Sequence, residues 1–208
     1  MNGSCYPILT IGHSKHPLSV FIDLLQENEV SVLADVRSVP YSRYCPQFNK
    51  ELLRGSLKEC KIDYLFLGRE LGARVDDPSC YLNGRIVYSR LAKRSAFLEA
   101  TELLKSRAGK EKTVLMCAEE DPLTCHRTIL VARELDKEGI RVEHIRGDGR
   151  VETHDDVKTR LLKLTGLYQG EGSQMDMFQQ QDQDNEKLLS DAFEIQEEKI
   201  AYRTDQPK

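Results

Sequence analysis

The stretch Cys117-Ala-Glu-Glu-Asp-Pro-Leu-Thr-Cys125-His126-Arg127 holds two thiols, three carboxylates, an imidazole and a guanidinium. Several chemistries suit that set. A thiol at a helix N-terminus ionises more readily and becomes a nucleophile, which points to Cys125 or Cys117. Glu119, Glu120 and Asp121 act against this, because neighbouring negative charge raises a thiol pKa. Cys117, Cys125 and His126 are also competent zinc ligands. The C-x7-C-H pattern is not a standard zinc spacing, however, and no second Cys/His cluster is evident, so neither metal nor cofactor is expected. A third option is recognition of a sugar or base, with the carboxylates accepting hydrogen bonds or working as nucleophile or general acid/base at a glycosidic carbon. The plain alternative is an acidic helix start, favoured by the helix dipole, beside ordinary buried thiols.

Two shorter groups add to this loop. Gly12-His13-Ser14 and Asp35-Val-Arg37 each follow an apolar run. A lone histidine is usually just hydrogen-bonded, and an Asp-x-Arg is often a simple ion pair. Their position at strand ends sets acid/base and phosphate contacts beside those plain readings as an equal alternative. The expected catalytic set is therefore His13, Asp35, Arg37, Cys117, Glu119, Cys125, His126 and Arg127, with Ser14, Ser42, Arg43 and Tyr64 as substrate contacts.

These residues need elements to hold them. Pro7 to Gly12, Val30 to Ala34, Tyr64 to Leu67, Thr113 to Met116 and Ile140 to Ile145 are short apolar runs of buried-strand type. Between them lie helical patterns: Pro17 to Leu25, Lys50 to Cys60 behind Asn49, Ser95 to Ser106, Thr128 to Leu135 closed by Gly139, and a last one from Thr153 to Leu164. Gly72 to Arg85 has turn formers and no period, so it reads as an insertion or lid. Alternating strands and helices predict an α/β fold: a mostly parallel sheet with helices on both faces, Rossmann-like or rhodanese-like in three layers. Such a sheet gathers His13, Asp35, Arg37, Gly68 and Cys117 at one edge, where ligands bind in folds of this kind. The domain is expected to span residues 1–168.

The remainder, 169–208, has a different composition. Gly170-Glu-Gly-Ser173 is linker-like and Gln179 to Asn185 is a polar run, so a disordered acidic tail is expected. Within it, Leu188, Leu189, Ala192, Phe193 and Ile200 can form one amphipathic helix that docks weakly. The net charge of -4 hides an asymmetry. From Val36 to Ser95 twelve Lys/Arg face six Asp/Glu, whereas from Leu167 onward ten Asp/Glu face four Lys/Arg. A basic middle segment suits a polyanionic ligand such as DNA or a nucleotide, its access modulated by the tail. No apolar run approaches the ~18 residues needed to span a bilayer. The first residues lack a basic-then-apolar signal, and the six cysteines are irregularly spaced, so reduced thiols and a cytoplasmic location are expected.

Thr10-Ile-Gly-His-Ser14, Asp35-Val-Arg-Ser-Val-Pro40, Ser42-Arg43, Pro46-Gln-Phe-Asn49, Tyr64 with Leu67-Gly68, Leu71-Gly72 and Met116-Cys-Ala-Glu with Cys125-His-Arg127 together resemble domain-of-unknown-function family 488, over about residues 7 to 150. The resemblance implies the fold more than a reaction. A weaker similarity is to rhodanese-like domains, where a strand also ends in Asp-Val-Arg and a later strand delivers a cysteine into a loop before a helix. That resemblance implies sulfur transfer through Cys117, but this loop is longer and acidic, and would repel a persulfide or thiosulfate. In the tail, Gln174-Met175-Asp176-Met177-Phe178 is similar to the bacterial sliding-clamp-binding peptide, in which apolar anchors enter a preformed pocket. Three readings follow: a DNA- or nucleotide-associated enzyme recruited to the clamp, a rhodanese-like sulfur enzyme, or a non-enzymatic adaptor for nucleic acid or a partner.

Overall fold

The computed structural model describes residues 6–168 and 178–204, with side chains of the last helix described from Asp184 onward. Six strands form one sheet: β1 (Ile8–Gly12), β2 (Val32–Asp35), β3 (Asp63–Phe66), β6 (Thr113–Cys117), β7 (Val142–Ile145) and β8 (Val151–Thr153). A separate hairpin pairs β4 (Tyr81–Leu82) with β5 (Arg85–Ile86). The sheet order is β3-β2-β6-β1-β7-β8. All pairings are parallel except β7 with β8.

β1, β2 and β6 are buried along their whole length, as strands covered on both faces must be. Their side chains alternate between two cores. One core takes Ile8, Ala34, Leu115 and Cys117 and packs against α4 (Ser95–Ala108), α5 (Arg133–Lys137), α6 (His154–Thr165) and α7 (Phe178–Ile200). The other takes Leu9, Leu33, Val114 and Met116 and packs against α1 (Leu18–Glu27) and α2 (Lys50–Glu59). The three-layer α/β expectation holds. A further short helix, α3 (Tyr88–Leu91), follows the hairpin.

Several local expectations resolve in detail. Thr153 makes a full capping box with Asp156 at the start of α6. Asn49 occupies the N-cap position of α2, but its side chain accepts from the Ser42 amide instead of capping. The helix expected from Thr128 opens as six π-helical residues, Arg127–Ala132, before α5 proper. Single turns of π-helix are rare and concentrate at functional sites.

The amphipathic helix expected in the tail lies on the domain itself. Ala192 and Phe193 are buried, Gln196 Nε2 donates to the Leu123 carbonyl at 2.7 Å, and Glu197 accepts from the Tyr88 amide at 2.9 Å. Beyond it the Ile86 amide donates to the Tyr202 carbonyl, and Arg203 bridges Arg85, so packed chain continues to Thr204. Residues 169–177 and 205–208, which include Gln174, Met175, Asp176 and Met177 of the clamp-like peptide, lie outside the described residues. Among the described residues no helix is long and apolar enough to cross a membrane.

Candidate functional site at the strand ends

Parallel pairing brings the C-terminal ends of β1, β2 and β6 together. Gly12 is level with Cys117 and Asp35 with Met116. The approach is so close that a Cβ on Gly12 would stand 1.8 Å from the Glu119 carbonyl oxygen, which explains the glycine before His13. The expected residues meet here, but as two clusters on opposite faces of the sheet.

The first cluster sits on the α1/α2 face around Asp35. Arg37 grips that carboxylate twice, Nε to Oδ1 at 2.9 Å and Nη2 to Oδ2 at 2.7 Å. The Tyr64 hydroxyl adds a bond to Oδ2 at 2.7 Å, and the Arg37 amide donates to Oδ1. His13 donates from Nδ1 to the Ser14 carbonyl at 2.8 Å, so Nε2 is left to accept from Arg37 Nη1 at 3.2 Å. Its ring stacks on Phe48 at 4.3 Å between centroids. Burial lowers the His13 pKa to about 4; the bond to Ser14 opposes this and Arg37 reinforces it. Burial and then Asp35 push the Tyr64 hydroxyl up. For Arg37, burial works downward but is outweighed by Asp35, so its guanidinium is held charged. Each group in this cluster has its partner, and Asp35 with Arg37 forms a buried ion pair.

The second cluster lies under the end of β6 on the opposite face. Cys117 Sγ, Cys125 Sγ and His126 Nδ1 lie within 4.8 Å of one another. His126 Nδ1 is 3.7 Å from Cys117 Sγ and 3.9 Å from Cys125 Sγ, while Nε2 donates to the Val36 carbonyl at 3.1 Å. Cys117 donates to Glu119 Oε2 at 3.1 Å, and the Arg127 amide donates to Cys125 Sγ at 3.4 Å. The hydrogen bond with Cys125, then burial, raises Cys117 well above the usual thiol range. Burial acts upward on Cys125 too, but Cys117, Arg127 and His126 together hold it well below that range. Glu119 is exposed as a residue, yet its carboxyl end is enclosed enough for burial, then Cys125, to raise its pKa.

The three carboxylates of the loop do not act as one wall. Only Glu119 faces the thiols. Glu120 reaches the Ser14 hydroxyl at 3.4 Å. Asp121 turns away, accepting from the Leu123 amide and pairing with Arg146 and Arg160, which hold its carboxyl below the usual range against the effect of burial. Arg127 is fully buried and donates to the carbonyls of Glu119 at 2.6 Å and Glu120 at 2.9 Å, so it shapes the loop.

Beside the first cluster opens a cleft of about 350 Å³, lined by His13, Ser14, Lys15, Arg37, Val39, Tyr41, Ser42, Cys45 and Ala118 to Glu120. Glu119 joins both sides, since it borders the cleft and accepts from Cys117. Arg43 and Tyr44 are exposed on the loop beyond Ser42, while Tyr64 lies beneath, bound to Asp35. Lys15, Tyr41 and Cys45 were not among the residues expected from sequence, although Tyr41 stands beside Ser42. Tyr88 was also missed: it is buried near Cys125, and burial, then Cys125, raises its hydroxyl pKa. No local pattern marks it, because it arrives from the far end of the insertion.

A parallel α/β domain with a strand-end cleft defines the class. The family model described as Domain of unknown function DUF488 matches residues 17–133, more than half of the chain, and the protein belongs to that family. No curated protein and no solved structure matches it.

Proposed function

We propose that the protein is an enzyme that acts on a nucleotide or a nucleobase at the strand-end cleft and is recruited to a replication or repair clamp through Gln174 to Phe178. The observation that carries this reading is the cleft's layout. Two thiols and an imidazole lie next to Glu119, which in turn lines a cleft shared with Tyr41, Lys15 and Ser42. Exposed aromatics beside basic groups stack bases and attract phosphates. Tyr41 is 57% exposed and Tyr44 89% exposed, so both rings are free to stack on a base. Glu119 is the acid/base group with access to both cleft and thiols.

The test is a panel of nucleotides and of DNA with modified bases or nicks, offered to the full chain and to Tyr41→Ala. Binding that weakens in Tyr41→Ala, with turnover of at least one member, is expected; no binding and no turnover across the panel overturns the reading. Clamp recruitment is tested by pull-down with and without residues 174–178.

A sulfur-transfer reading has one geometric point in its favour, and it concerns Cys125 instead of Cys117. Cys125 sits at a helix start with a backbone amide on its sulfur, whereas Cys117 donates to Glu119. A persulfide on Cys125 after thiosulfate treatment, seen by mass spectrometry, would favour this second reading.

A further inference from the structure

Three N and S donor atoms converge under the end of β6, all within 4.8 Å of one another. Zinc takes thiolate sulfur at about 2.3 Å and imidazole nitrogen at about 2.0–2.1 Å, so a tetrahedral site separates S from N by roughly 3.5–3.6 Å. The observed separations from His126 Nδ1 are 3.7 Å to Cys117 and 3.9 Å to Cys125. The supporting contacts fit as well. His126 donates its other nitrogen to the Val36 carbonyl at 3.1 Å, which holds the ring with Nδ1 facing the two thiols. Metal-bound histidines are held by this kind of outer contact. The Arg127 amide donates to Cys125 Sγ, and Arg127 itself is clamped to two loop carbonyls, so the chain around the second thiol is rigid.

We propose that Cys117, Cys125 and His126 form a zinc site, with Glu119, which touches Cys117 and borders the cleft, beside its fourth position. Thiolate and imidazole donors select zinc over the hard, oxygen-seeking calcium and magnesium. Three protein ligands with one open position is the arrangement of catalytic zinc, and Cys2His is one of its known donor sets. The Cys117 thiol donates to Glu119 Oε2 at 3.1 Å, so Glu119 is placed to take up the proton that this thiol must release when its sulfur binds zinc. The sequence spacing argued against a metal because the two thiols are separated by a loop. Folding cancels that separation by returning the loop onto the strand end.

The proposal does not depend on the substrate, so it can fail while the nucleotide reading stands, and the reverse. The test uses the full chain, reduced and stripped of metal, then dialysed with zinc alone or cobalt(II) alone. One zinc per chain is expected by elemental analysis, and cobalt should give the absorption of a thiolate-to-metal charge transfer. Cys125→Ser and His126→Gln should lose the metal and the cobalt band while their circular dichroism stays native. Cys80→Ser, a buried thiol outside the cluster, should keep both. If the folded, reduced wild type takes up neither metal, or if Cys125→Ser and His126→Gln retain it, the site is a hydrogen-bonded thiol pair and the proposal is wrong. Should both variants unfold, thiol counting decides: zinc must shield two wild-type thiols from alkylation, and equal labelling with and without zinc overturns the proposal.

Discussion

Asp35 is fully buried and receives two bonds from the Arg37 side chain, one from the Arg37 amide and one from Tyr64. A buried carboxylate of that kind depends on its partners far more than its partners contribute net stability. Arg37→Met should therefore cost about 3–5 kcal/mol in chemical denaturation, because it leaves the charge unpaired. Adding Asp35→Asn should recover much of the loss; no recovery would mean that the arginine acts through packing alone. Gly12 gives a second expectation at this scale. A methyl group there meets backbone, not a flexible side-chain end, so the loop after Cys117 must move. Gly12→Ala should fold with reduced stability, roughly 1–3 kcal/mol as for other overpacked sites, and should lose cleft ligand binding more than it loses stability. The strand-end positions of Gly12, Asp35 and Arg37 were legible, and an Asp35–Arg37 ion pair was one of the two readings open for them. Whether Arg37 reaches a substrate or its own neighbour depends on Tyr64 and Phe48, brought by β3 and the turn before α2.

β1, β2 and β6 were legible because strands covered on both faces must be apolar along their length, and β3 and β7 through the apolar residues within shorter, partly exposed runs. β8 was not, since Val151-Glu152-Thr153 is a short edge strand with exposed positions and no such run. The hairpin β4–β5 did carry a signal. Asn83 and Gly84 both adopt left-handed backbone, with φ of 50° and 74°, and Asn-Gly is the residue pair such a tight hairpin turn favours. Its two-residue strands hid it. α7 shows what a docked helix contributes. Phe193 is buried, with the Arg133 guanidinium 4.7 Å above its ring, and Gln196 reaches the loop at Leu123. Phe193→Ala should destabilise by about 3–5 kcal/mol. Hydrogen exchange should show the loss spreading over α7 while β1 and β6 stay protected. Uniform loss of protection would mean that the helix belongs to the same cooperative unit as the sheet.

Across the molecule, the charge asymmetry is met partly within the chain. Of the basic middle segment, Arg37 pairs with Asp35, Arg94 with Asp77 and Arg85 with Glu198 of α7, while Arg74 lies over Tyr202. Of these contacts, the ion pair Arg85–Glu198 joins the basic middle to the acidic end. The fold also buries two histidines against each other: His144 Nε2 is 3.0 Å from His154 Nδ1, and His144 Nδ1 pairs with the Thr10 hydroxyl at 2.8 Å. Burial lowers both, His154 to about 4 and His144 well below the usual value. Because the folded pKa lies below the unfolded one, the unfolded chain takes up more protons as pH falls. Their contribution is complete above pH 6.5 and is lost toward pH 4. Denaturation at pH 7 and pH 4.5 should differ by about 2–3 kcal/mol from His154 alone. A flat profile over that range would show that the pair is hydrated. The sequence by itself determined the parallel α/β order and the gathering of chemistry-bearing residues at one sheet edge, because hydrophobic period and strand direction are local and additive. Only the tertiary structure decided that those residues divide between two faces, that Glu119 alone of three carboxylates meets the thiols, and that Cys117, Cys125 and His126 converge. Those outcomes depend on how the loop after β6 folds back over the strand ends, and contacts between distant segments fix that path.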